Sequence, residues 1–158
     1  MEYQKIWDKV LNPNEQVKYE FSISKRYRKF GSTFFVILGA VLILLGIFAA
    51  TGVWVFGLIL ILVGSGYYGF YLKVANAYAF TDRRVLVHIG WLSTKMISTE
   101  YQKITDVTII EPFLSHILVH TGTLKIDTAG TSKEEIVLKN IERPYEVKKK
   151  LDELRGRR

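Results

Sequence analysis

Residues 30–72 read FGSTFFVILGAVLILLGIFAATGVWVFGLILILVGSGYYGFYL, 43 consecutive positions without one Asp, Glu, Lys, Arg or His. One membrane-spanning helix needs about 20 apolar residues, so the run is long enough for two and too long for one. Its centre, Ala50-Thr51-Gly52, is turn-permissive, and Trp54 just beyond suits a membrane interface. The reading is a two-helix transmembrane hairpin, with spans over residues 31–50 and 53–72. A hairpin buried in a soluble core is the competing reading. Only 29 residues precede the block and 86 follow it, too few to cover it. A signal peptide fits poorly, because the apolar run starts late and is too long for an h-region.

The flanks orient the hairpin. Lys25, Arg26, Arg28 and Lys29 precede the first span, Lys73 follows the second, and the connecting turn carries no charge. The positive-inside rule then places both termini in the cytoplasm, as in a multi-pass protein of the cell membrane. The formal net charge of +7 is shared between two basic segments on either side of the uncharged block. Such a balance suits nucleic acid or anionic lipid. With an apolar block between the basic segments, lipid is the economical partner, and no nucleic acid is expected. The chain has no cysteine, so neither disulfides nor thiolate metal sites staple it.

Small residues recur inside the block. Gly39 and Gly46 lie seven apart in the first span, as do Gly57 and Gly64 in the second. In a hairpin turning between Thr51 and Gly52, Gly39 matches Gly64 in depth and Gly46 matches Gly57. Small residues at shared depth let helices approach closely in lipid, so these four are read as the helix–helix seam. Ordinary glycine usage in membrane helices explains them equally well. Gly64, Gly66 and Gly69 could instead serve a contact between protomers.

Outside the block the pattern is mostly strands. Residues 3–11 have helical apolar spacing, ended by Asn12-Pro13-Asn14, with Trp7 resting on the domain or on the membrane. Val17, Tyr19, Phe21 and Ile23 alternate with polar residues, a half-buried strand ahead of the hairpin. Further strands are expected over residues 75–80, 85–89, 92–99, 104–110, 123–127 and 136–138, with a polar turn at 129–133. That makes about seven, at the short intervals of an antiparallel sandwich or barrel. A helix starts near Pro144 with Val147, Leu151 and Leu154 in one stripe. Acidic Glu142 and Glu146 lie at its start and Arg155, Arg157 and Arg158 at or beyond its end, as the helix dipole prefers. The expected fold class is therefore an α+β membrane protein, with the apolar stripe of the last helix capping an open end of the β-domain. The chain divides into residues 1–29 (helix and first strand), 30–72 (hairpin) and 73–158 (cytoplasmic β-domain with its helix).

The run Ala77-Tyr-Ala-Phe-Thr-Asp-Arg-Arg-Val-Leu-Val, then Gly90, Ile104-Thr-Asp-Val107 and Gly122-Thr-Leu-Lys-Ile126, resembles the bacterial pleckstrin-homology domain family of prokaryotic membrane proteins. The likeness extends to Asn14-Glu15-Gln-Val-Lys-Tyr ahead of the hairpin. It implies a PH-like domain preceded by a transmembrane helix pair, and it implies little chemistry. In the Thr-Asp-Arg-Arg segment, Thr81 and Asp82 can bond their own nearby backbone and hold a tight turn. Arg83 and Arg84 would open the next strand, pairing with Asp82 or Asp106 or facing lipid phosphate, since Arg suits bidentate oxyanion contacts.

Catalytic and metal constellations are weak. His116 and His120 would share one face of a strand, yet no third or fourth ligand accompanies them. Asp82, Asp106 and Asp127 are scattered, and no cofactor is implied. The apolar stretch 112–119 is a loop or short helix tucked onto the core, or else an edge that touches membrane or partner. Function then reduces to three classes. The first is a non-catalytic membrane-anchored module binding an unidentified protein partner or its own copies as a homo-oligomer. The second is a sensor of anionic head groups through Lys25, Arg26, Arg28, Lys29, Lys73, Arg83 and Arg84. The third is a small transporter or channel subunit, disfavoured by spans without ionisable groups.

Overall fold

The computed structural model describes residues 3–49, 51–129 and 135–156. The turn expected over 129–133 therefore lies mostly outside the described residues, as do Ala50, Arg157 and Arg158. In chain order the elements are α1 (Gln4–Trp7), β1 (Val17–Phe21), α2 (Lys25–Phe48) and α3 (Val53–Val74). They continue with β2 (Asn76–Thr81), β3 (Arg84–Ile89), β4 (Lys95–Glu100), β5 (Ile104–Ile110), α4 (Phe113–Val119), β6 (Thr121–Thr128), β7 (Ile136–Glu142) and α5 (Pro144–Gly156).

The two long helices are each apolar and long enough to cross a membrane. At 1.5 Å per residue, 24 and 22 residues span about 36 and 33 Å. The first starts six residues earlier than expected, because the Ser24 hydroxyl caps it by accepting from the Arg26 and Tyr27 N–H groups. Near its end α3 widens into a π-helical turn over Gly66–Tyr71.

Four strands form one antiparallel sheet in the order β1-β2-β3-β4, and three form a second in the order β5-β6-β7. In the first, Phe21, Tyr78, Val87 and Ile97 line up across the four strands. In the second, Ile109, Leu124 and Leu138 do the same for three. The inner faces pack together through Tyr78, Phe80, Val85 and Val87 against Leu124, Ile126, Ile136 and Leu138. Val147, Leu151 and Leu154 of α5 are buried in the same core. Arg155 donates to the Ile104 carbonyl at 2.8 Å and fastens the end of that helix to β5.

No closed barrel results. The ladder breaks between β4 and β5 at the tight turn Tyr101–Lys103. Beyond β1 and β7 proper, the sheets meet at one bridge, Ile23 with Ile141, beside the Ser24 N–H bond to the Asn140 carbonyl.

The outer face of the first sheet is also covered. In β2 the large Tyr78 and Phe80 alternate with the small Ala77 and Ala79, so the outer face leaves room for an indole. Trp7 fills it, fully buried against Ala77, Ala79 and Leu86. Its Nε1 donates to Glu20 at 2.9 Å. Trp7 thus rests on the domain. One other expectation changes: β4 starts only at Lys95, leaving Trp91 and Leu92 in a turn; residues 113–119 form a short helix, one of the two forms expected there.

Candidate functional site

The Thr81–Arg84 turn is a structural clamp. The Thr81 hydroxyl accepts the N–H groups of Arg83 and Arg84 at 3.0 and 2.9 Å and donates to Glu15 at 2.8 Å. Asp82 exchanges bonds with Gln16, accepting its N–H at 3.0 Å and donating its own to the Gln16 carbonyl. The Arg84 guanidinium grips Glu15 in bidentate fashion, Nε to Oε1 at 2.8 Å and Nη2 to Oε2 at 2.7 Å. Nη2 donates also to the Val10 carbonyl, and Nη1 donates to the Ser98 hydroxyl, both at 3.0 Å. Arg84, expected among the head-group contacts, has its guanidinium directed at protein acceptors. The pairing with Asp106 also gives way to Glu15. Arg83 points outward beside Asp82, 3.8 Å away.

Burial would raise the Glu15 pKa. The bonds from Arg84, the Asn12 N–H and Thr81, with the Arg84 charge, outweigh it and hold that carboxyl at about 2. The clamp lies at the end of the sheet away from the long helices. Strand β2 leaves α3 at Asn76 and reaches Thr81 roughly 17 Å later.

The glycines of the long helices occupy their contact. A methyl group on Gly39 would meet the Gly57 carbonyl oxygen at 2.7 Å, and one on Gly57 would meet the Gly39 oxygen at 2.6 Å. Gly46 abuts the Trp54 backbone, and Gly64 abuts the Phe35 side chain. The partners differ from those expected by depth: Gly39 faces Gly57, with Gly64 and Gly46 set against larger residues. Gly31 joins the seam against Tyr68, whereas Gly66 and Gly69 face open space. The seven-residue spacing pointed to a shared face; the observed partners are offset from equal depth.

The basic cluster divides. Lys25, Arg28 and Lys29 share one face of the first turns of α2 and, with Ser32, Thr33 and Gly69, line a cleft of about 370 Å³. Arg28 Nη1 donates to the Gly69 carbonyl at 3.3 Å. Its Nε is buried with no partner among the described residues. Arg26 turns towards the domain, 3.9 Å from Glu142. Lys73 sits near the end of α3, where its carbonyl accepts the Tyr3 hydroxyl at 3.0 Å. Four cations in the first turns of α2 oppose the helix dipole, with no acidic residue there to balance them.

His116 lies in α4 and His120 just after it, with φ of 52°, so the shared strand face expected for them does not exist. Among the described residues no three His, Asp or Glu side chains gather where they could hold a metal ion.

Two antiparallel sheets packed face to face and capped by a C-terminal helix define a pleckstrin-homology-like domain. The family model for the bacterial PH domain matches residues 33–155, and the chain belongs to that family. A crystal structure of a DUF1696 family protein with a pleckstrin-homology domain from Shewanella loihica PV-4 shares the fold. It matches with a TM-score of 0.51 at 12% identity, over 98% of this chain and 94% of the other. A pleckstrin homology domain from Shewanella amazonensis SB2B matches at 17% identity with a TM-score of 0.39, over 51% of this chain and 67% of that one. A comparison with curated proteins finds no match.

Proposed function

We propose that this protein is a non-catalytic interaction module, anchored in the cell membrane by α2 and α3, with its PH-like domain and both termini on the cytoplasmic side. The observation that carries the anchoring is the surface of the two helices. Glycines line their mutual contact, while large apolar side chains point outward, Phe48 87% and Leu62 72% exposed. A soluble protein rarely presents a continuous apolar face of this extent to water, whereas acyl chains solvate it without cost. The interaction role is supported by the domain type and by a domain of the chain in which polar groups serve structure, as at Glu15 and Arg84. Crosslinking in native membranes, read by mass spectrometry, tests it. Reproducible links to a particular protein or between copies are expected; a carbonate-extractable protein without specific links would overturn it.

A second reading, recognition of an anionic lipid head group, has its own support in the Lys25, Arg28 and Lys29 cleft. Basic pockets between membrane helices on the cytoplasmic side suit phosphate head groups, and the hydroxyls of Ser32 and Thr33 lie alongside. Native mass spectrometry from mixed-lipid nanodiscs tests this reading. Anionic lipid should be retained preferentially by the natural chain and lost in the Lys25→Gln, Arg28→Gln double variant. Equal retention of anionic and zwitterionic lipid would defeat it.

A further inference from the structure

We propose that the domain makes a second, peripheral contact with the same bilayer, through the β3–β4 turn and the outer face of α4. This proposal rests on the anchoring by α2 and α3 and adds where the domain itself meets lipid.

The β3–β4 turn is apolar where turns are usually polar. Between Ile89 and Lys95 the chain reads Gly-Trp-Leu-Ser-Thr, without charge. Leu92 is 90% exposed and Trp91 48%. The turn is held in place. Gly90 has φ of 106° and lies so close to the Ser93 carbonyl that no side chain would fit. Its N–H donates to the Ala75 carbonyl at 2.7 Å, tying the turn to the end of α3. The Trp91 ring meets the Phe70 ring of α3 edge-on, with centroids 5.5 Å apart. Tryptophan at this depth, beside the cytoplasmic end of a spanning helix, matches the interfacial preference of indole.

The second patch lies beside the other helix. α4 packs next to α2 and is anchored inward by Val119, while Phe113, Ile117 and Leu118 stand exposed, Phe113 by 76%. Its place follows from the ladder: Thr121 pairs with Glu142 and Ile141 bridges to Ile23, directly ahead of the capped start of α2. One uncharged apolar turn therefore flanks α3 and one apolar helical face flanks α2. Both continue the lipid-facing surface of the hairpin, which identifies the occupant as the acyl–head-group boundary of the leaflet. An amphipathic element of this kind lies in the interface about 5–10 Å deep.

The chain has no cysteine, so single-cysteine variants give unique labels. Full-length Leu92→Cys, Phe113→Cys, Ile37→Cys and Gln102→Cys, each carrying an environment-sensitive fluorophore, are reconstituted in liposomes containing doxyl-labelled phosphatidylcholine. All four positions are exposed in the structure. Ile37 reports the hairpin, and Gln102, at the far end of the sheet, is the unquenched reference. The expected result is that a doxyl group near the head group lowers the Leu92 and Phe113 signals by about half relative to Gln102. A doxyl group deep in the chain should quench Ile37. Quenching at Ile37 with none at Leu92 and Phe113 would overturn the peripheral contact and leave the anchor standing. Blue-shifted but unquenched Leu92 and Phe113, with energy transfer between copies, would assign these patches to a second copy and likewise overturn it. No quenching at Ile37 would overturn the anchor itself.

Discussion

Glu15 and Arg84 are 69 residues apart and hold the N-terminal segment to β3 through two bonds. Removing one partner strands the other, which costs about 3 kcal/mol in a buried pair. Glu15→Gln and Arg84→Ala should each lower stability by about that much in detergent denaturation, and the double variant should lose less than the sum. Arg84→Lys should recover only part, since an ammonium cannot reproduce the fork. Because the folded Glu15 pKa is depressed from 4.5 to about 2, its contribution is complete above the unfolded value. It is lost as pH falls from about 4.5 through about 2, and Glu15→Gln should flatten the melting profile in that window. At this scale the turn-forming part of Thr81 and Asp82 was legible from their side-chain chemistry. The partner of Arg84 was not, because no local pattern encodes a pairing across the whole hairpin. The one signal was Glu15 itself, an acidic residue just ahead of a strand.

Among the elements, the hairpin seam makes the sharpest distinction between glycines. Gly57→Leu forces a side chain onto the Gly39 carbonyl and the Ile43 backbone. It should lower the melting temperature in detergent by about 5 °C or more. Gly66→Leu and Gly69→Leu point into open space and should leave it unchanged. A uniform response of all three would refute the seam. For α1, Trp7→Ala empties the outer face of the first sheet and should cost about 3–5 kcal/mol, read by the same denaturation. The sequence marked both long helices by an uncharged apolar run, β1 by alternation and α5 by helical spacing. It misjudged the start of β4 and left residues 112–119 open between loop and helix, because short apolar runs without alternation read alike as strand, turn or helix.

For the whole molecule, the hairpin is inserted between β1 and β2, which are neighbours in one sheet. The two long helices therefore leave the domain side by side, and β1 completes a core built mostly from residues after the hairpin. One strand ahead and about six behind followed from alternation and turn signals; the division into two sheets did not, since it depends on long-range pairing. Such a domain cannot fold properly if its N-terminal strand lies on the other side of the membrane. The most direct measurement is labelling of Gly52→Cys and Gln102→Cys by a membrane-impermeant maleimide in sealed right-side-out vesicles. Gly52, at the hairpin turn, should react from outside, and Gln102, in the domain, only after the vesicles are opened. Equal labelling of both from outside, or protection of both until the vesicles are opened, would contradict a hairpin that spans the membrane with the domain held beneath it.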